Sequence, residues 1–88
     1  MIKGNTSTGF AFEVGEEVLD NMELVDLIAE GAENPVTVSK IMKMVIGEEQ
    51  RKRLYDHLRL DDGRVPTQAV GQALTEIFKA FGEKGKNC

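Results

Sequence analysis

The placement of helix-breaking residues constrains this chain more than any other feature. Gly31, the pair Asn34-Pro35, Gly47, the run Asp61-Asp62-Gly63, Pro66 and Gly82 cut an apolar-periodic sequence into pieces of helical length. A glycine just past a helix takes the left-handed conformation that closes it. Asn followed by Pro suits an N-cap and first helical position. Four helices are therefore expected, at about Glu16 to Glu30, Pro35 to Ile46, Glu48 to Leu60 and Pro66 to Phe81. The second has the stripe Val38, Ile41, Met42, Val45; the third is strongly charged, with Leu54, Tyr55 and Leu58 as its apolar anchors. In the fourth, Val70, Leu74, Ile77 and Phe81 fall on one face with Phe78 beside them, the spacing of an amphipathic helix.

Ahead of the first helix, Phe10, Phe12 and Val14 alternate with period two, which predicts a short strand with one apolar face. Asn5 to Gly9 suits a turn between two such strands. An isolated hairpin is marginally stable, so this arm must pack on the helices or pair with another chain. The expected fold class is mainly α: a small four-helix domain with a short N-terminal β strand or hairpin. It divides into an extended arm (residues 1–14), a helical core (15–82) and a frayed tail (83–88).

A chain of 88 residues has room for one modest core and little space for a deep cleft. No apolar run approaches the ~20 residues that span a bilayer. Met1 to Phe10 lacks the apolar stretch of a signal peptide. The single cysteine, Cys88, is expected to be an exposed thiol, which fits a reducing cytosol. Net charge is −4 and unevenly spread. From Met1 to Asn34, Lys3 stands alone against Glu13, Glu16, Glu17, Asp20, Glu23, Asp26, Glu30 and Glu33, whereas the rest of the chain is mildly basic. This asymmetry reads either as complementarity across one folded surface or as head-to-tail pairing in a homo-oligomer. The acidic balance argues against general affinity for nucleic acid, which depends on neutralising phosphates.

Few residues suggest chemistry. His57, the only histidine, reads as part of a solvated helix face, and without a cysteine or second histidine beside it no typical transition-metal site is expected. Asp61-Asp62-Gly63 invites a calcium-loop reading. With Gly63 as the sixth position, Leu58, Leu60 and Ala69 would fill the first, third and twelfth, and none carries a carboxylate. Gly-rich phosphate loops and nucleophile elbows are absent from the sequence. No cofactor and no enzymatic activity are expected. The basic residues Arg51, Lys52, Arg53 and Arg59 allow an alternative, a small DNA-binding regulatory protein, but Glu48, Glu49, Asp56, Asp61 and Asp62 interleave with them.

Helix one is the most informative segment. At about 100° per residue, Val18, Leu19, Met22, Val25, Ile28, Ala29 and Ala32 cover one half of it, an ordinary core face. Leu24 and Leu27 fall outside that half. They either pack under the N-terminal arm or face another protein. Phe78 and Phe81, near the end of helix four, raise the same question.

The chain resembles the short tail assembly chaperones of long-tailed bacteriophages of Gram-positive hosts. The resembling stretches are Ile2-Lys3-Gly4-Asn5-Thr6-Ser7-Thr8-Gly9-Phe10, Val18-Leu19-Asp20-Asn21-Met22-Glu23-Leu24, and Leu54-Tyr55-Asp56-His57-Leu58 leading into Asp62-Gly63-Arg64-Val65-Pro66. The resemblance implies a small helical, non-enzymatic protein that binds the tape measure protein and keeps its hydrophobic helices soluble. It also implies action in the bacterial host cytoplasm and absence from the finished virion. The residues expected to grip the partner are Leu24, Leu27, Ile28, Ile77, Phe78 and Phe81. On this reading Leu27→Asp leaves the fold intact and weakens binding.

Overall fold

The computed structural model describes residues 2–31 and 34–86. The expected core role of Ala32 and exposed thiol of Cys88 lie outside the described residues. The fold is mainly helical with an N-terminal β hairpin, in the order β1 (Ile2–Asn5), β2 (Ala11–Val14), a 3₁₀ turn (Glu16–Leu19), α1 (Met22–Gly31), α2 (Pro35–Leu58) and α3 (Thr67–Lys86).

The arm closes on itself. β1 and β2 pair antiparallel, with Ile2 opposite Val14 and Gly4 opposite Phe12. Strand alternation turns Ile2, Phe12 and Val14 inward, where all three are buried, and leaves Lys3 and Glu13 outside as an exposed ion pair at 3.5 Å. The Phe12 ring lies over Gly4, so close that a Cβ there would sit 2.8 Å from Cζ. In the turn, the Thr6 amide donates to the Phe10 carbonyl at 2.9 Å, and the Phe10 amide donates to the buried Thr6 hydroxyl at 3.1 Å.

Three side chains from distant sequence fasten the hairpin to the helices. Gln50 presents its amide to the outer edge of β2 as a further strand would: Oε1 accepts from the Glu13 amide at 2.8 Å, and Nε2 donates to the Glu13 carbonyl at 2.7 Å. This occupies an otherwise open edge position. His57 Nε2 donates to the Thr8 carbonyl at 2.9 Å, and its ring lies 5.9 Å from that of Phe10. The histidine expected on a plain solvated face is thus an exposed strap across the turn. Glu76 accepts from the Ser7 amide and hydroxyl at 2.5 and 2.7 Å.

The expected second and third helices follow one another with no loop between them and are described together as the span α2, so three helical spans stand where four helices are expected. Gly47 still breaks the backbone within it, at φ 83° and ψ 166°, a conformation that L side chains rarely adopt. The two halves fold back on each other. Tyr55 donates to the Ser39 hydroxyl at 3.1 Å across 16 residues of chain, a distance a straight helix would stretch to about 24 Å. Arg51 Nη1 also reaches Ser39, at 3.1 Å to its hydroxyl and 3.2 Å to its carbonyl. The reversal turns Val38, Ile41, Met42, Val45 and Ile46 from the first half, and Leu54 from the second, into one core. Each such side chain contributes about 1.5–3 kcal/mol when fully buried.

The local signals at the helix ends hold. The Asn34 side chain accepts from the Val36 amide at 2.9 Å, capping α2 with Pro35 in its first turn. Asp61-Asp62-Gly63 forms the turn after α2, where Asp62 accepts from the Arg64 amide at 2.9 Å and Arg59 donates to the Gly63 carbonyl at 2.8 Å. Gly82 does not stop the last helix, which runs on to Lys86 in place of a tail frayed from residue 83. An interior glycine costs only about 1 kcal/mol, which weakens a helix without by itself ending it.

Gly47→Ala is expected to lower unfolding free energy by about 1–3 kcal/mol, the cost of holding an L residue at a positive φ with extended ψ that essentially only glycine adopts, although open space surrounds the position. Urea denaturation checks this; an unchanged midpoint would mean that the reversal does not depend on glycine.

Candidate protein-binding surface

Helix α1 begins later than its sequence suggests. Asn21 caps it, its side chain accepting from the Glu23 amide at 3.0 Å and its carbonyl from the Leu24 amide at 3.0 Å. Before it, Asp20 ends the 3₁₀ turn with its amide donating to the Glu17 carbonyl at 3.0 Å. This break resets the helical phase. One continuous helix would place Val18 and Leu24 about 120° apart, six residues at about 100° each. With the break, Val18 packs against the core and Leu24 enters it, only 1% exposed.

The consequence reverses the expected faces. Leu24 is core, and Leu27 is half-buried against the same cluster. The half expected to be core faces outward: Met22 is 70% exposed, Val25 44% and Ile28 38%, with Leu19 and Ala29 also exposed. Leu24 and Ile77 cannot grip a partner from the folded state, because both sit inside the packed centre. Phe81 is largely buried, whereas Phe78 is half-buried at the core margin. Of the six expected gripping residues, the structure brings Ile28, Phe78 and Phe81 together. With Leu19 they line an open apolar groove of about 400 Å³ between α1 and the end of α3.

On α1 the helical wheel separates three strips. Leu24 and Leu27 face the core; Ile28, Val25, Ala29 and Met22 form an outer apolar arc; and Asp26, Glu30 and Glu23 form an adjacent exposed acidic row. Glu17 and Asp20 extend this exposed acidity beside Leu19. The apolar arc therefore has a groove on one flank and carboxylates on the other. Of the α1 residues expected to grip a partner, Ile28 is exposed, whereas Leu24 and Leu27 take the alternative of packing inward; Met22 and Val25, expected on the core face, lie outside. Asn21, a strong N-cap type, was the available signal for the shifted start.

The basic residues form no comparable surface. Arg51 is folded against Ser39, makes a 2.9 Å pair with Glu48 and lies 5.8 Å from the Tyr55 ring centre. Arg59 pairs with Asp56 at 3.1 Å, and Arg64 with Asp62 at 2.8 Å. Lys52 and Arg53 are exposed. A smaller crease of about 170 Å³, lined by residues that include Pro35, Val38, Tyr55 and Val70, adjoins the Ser39 network. Among the described residues, no group of three or more His, Cys, Asp or Glu side chains could hold a metal ion. No described helix is long and apolar enough to cross a membrane. No protein-family model matches the chain, and neither a curated protein nor a solved structure matches it.

Two measurements check this geometry. Leu24→Ala is expected to cost about 2–5 kcal/mol of stability, as for a large-to-small change in a packed core, whereas Val25→Asp stays within about 0.5 kcal/mol. The opposite ranking in chemical denaturation would mean that α1 is turned the other way. Leu27→Asp is likewise expected to destabilise, since it brings a charge against the core margin.

The second measurement concerns Glu76. The Ser7 amide, and then the Ser7 hydroxyl, hold its carboxyl below the ordinary glutamate range. A lowered value in the fold stabilises it above the unfolded value, and that contribution is lost as pH falls through the folded value. Wild type is therefore expected to melt higher than Glu76→Gln at neutral pH, with the gap closing below about pH 4. A gap that persists unchanged in acid would rule out the ionised carboxylate as the fastening group.

Proposed function

We propose that this protein is a non-enzymatic binding protein, a phage tail assembly chaperone that holds helices of the tape measure protein soluble in the bacterial host cytoplasm during tail morphogenesis. It then leaves before the virion is complete. One observation carries the reading: Met22, Val25 and Ile28 lie exposed on a helix that already commits Leu24 and Leu27 to the core. A small domain gains nothing in its own stability from such an outer face. Contiguous exposed apolar surface of this kind is characteristic of protein interaction sites. The resemblance of the arm, the acidic helix and the turn before Pro66 to tail assembly chaperones supplies the identity of the partner. The DNA-binding alternative draws less support, because Arg51 and Arg59 are engaged in intrachain hydrogen bonds.

Co-expression tests the proposal. A siphophage tape measure protein is expected to be recovered in the soluble fraction with the wild-type chain. It should be lost to the pellet with a Val25→Asp, Ile28→Asp double variant whose melting curve is unchanged. Equal recovery with both chains would exclude this face as the chaperoning surface.

A further inference from the structure

We propose that the outer face of α1 and its adjoining groove take a positively charged amphipathic helix from another protein, which lays its apolar stripe across Met22, Val25 and Ile28 and its cations along Glu23, Asp26 and Glu30. This rests on the reading of that face as the partner surface, and adds the chemistry of the partner.

The argument begins with the shape. The shallow apolar hollow lined by Leu19, Ile28, Phe78 and Phe81 adjoins the exposed arc of α1 at Ile28 and is widely open to solvent. With Val25 and Met22 beside it, it offers an elongated apolar strip of the kind that the apolar stripe of a helix covers. Charge then selects among such helices. Between Gly4 and Asn34 the sequence contains no lysine or arginine, and the exposed acids of α1 stand in one row beside the arc. A docking helix with lysines or arginines beside its apolar stripe meets opposite charge along that row; an acidic one meets like charge.

The same comparison favours such a helix over a second copy of this chain as the occupant. Antiparallel face-to-face pairing, about a twofold axis that crosses the helices, would set one acidic row against the other. Head-to-tail pairing would offer the basic half of α2, but its apolar anchors are turned inward: Leu54 is fully buried, and Tyr55 and Leu58 are half-buried against the core. That half has charge to match the row without an apolar stripe to fill the groove.

The test uses the full chain and two synthetic peptides of about 18 residues, or five helical turns. Both carry leucines at three- and four-residue spacing; one has lysine and the other glutamate at the flanking positions. Fluorescence anisotropy is expected to show binding of the lysine peptide that weakens as salt rises, with the glutamate peptide at least tenfold weaker. Val25→Asp makes the face more acidic, so any loss of lysine-peptide binding must come from the apolar contact; at least a tenfold loss is expected, with thermal melting unchanged. Equal binding of both peptides, no binding of either, or undiminished binding to Val25→Asp overturns the proposal. So does sedimentation of the wild type as a dimer that Val25→Asp converts to monomer. If the tape measure protein is solubilised through this face yet the two peptides bind alike, the chaperone reading stands and the charge selection falls.

Discussion

The backbone reversal at Gly47 is the constraint on which the rest of the structure depends. A single residue at positive φ turns one long helical stretch back on itself and brings Ser39 against Tyr55 and Arg51. Only then do Ile41, Met42, Val45 and Leu54 share one core, and only then is there a helical surface for the hairpin, α1 and α3 to cover. Without the reversal, the two halves of α2 would present separate apolar faces, each too small to be buried by the few remaining elements. Gly47 is thus where a local conformational preference becomes a tertiary arrangement. The Ser39 hydroxyl and carbonyl, bonded from the far half, fix the angle that the glycine permits.

The hairpin completes this core and is held from above as well as below. Phe10, Phe12 and Val14 supply a buried face that the helices alone lack. A two-stranded sheet alone is marginal, and its attachment is correspondingly distributed. Gln50 completes a strand edge, His57 holds the Thr8 carbonyl, and Glu76 holds Ser7. These ties are exposed, so each contributes modestly; their effect is to orient the turn while apolar burial supplies most of the driving force. The Phe12 ring over Gly4 shows the same economy of space, since a side chain at position 4 would displace it.

Elements written in local chemistry were legible in the sequence. Period-two alternation located the hairpin, Asn34-Pro35 the start of α2, Gly47 its break, and Asp61-Asp62-Gly63 the turn that follows. What was not legible depended on contacts between distant residues or on helical phase. His57 and Thr8 are separated by 49 positions, and Ser7 and Glu76 by 69, so spacing along the chain carried no sign of either tie. The error on α1 was one of phase. Treating Glu16 to Glu30 as continuous projected Val18 and Met22 onto one face, whereas the turn at Asp20 and the cap at Asn21 start a new helix with a new orientation. The inference of surplus apolar residues survived this error because it rested on their number around the helix. Leu24 and Leu27 did not survive as surface candidates because their assignment rested on angle.

That distinction bears on how α1 can remain exposed without driving association. A helix with apolar residues on both sides would ordinarily pair with its own kind, since identical faces are self-complementary in hydrophobicity. Here the outer arc is bordered by Glu23, Asp26 and Glu30, with Glu17 and Asp20 beyond its start. Two copies pairing antiparallel through this face bring these carboxylates together, a repulsion that grows as water is expelled and screening falls. The same charges attract a cationic helix over the distance at which they repel a copy. On the proposal above, the acidic row acts in two directions at once: it opposes closure of the apolar face on an antiparallel copy and favours a partner of opposite charge. Neither effect needs a deep pocket, which an 88-residue chain cannot build while also enclosing a core.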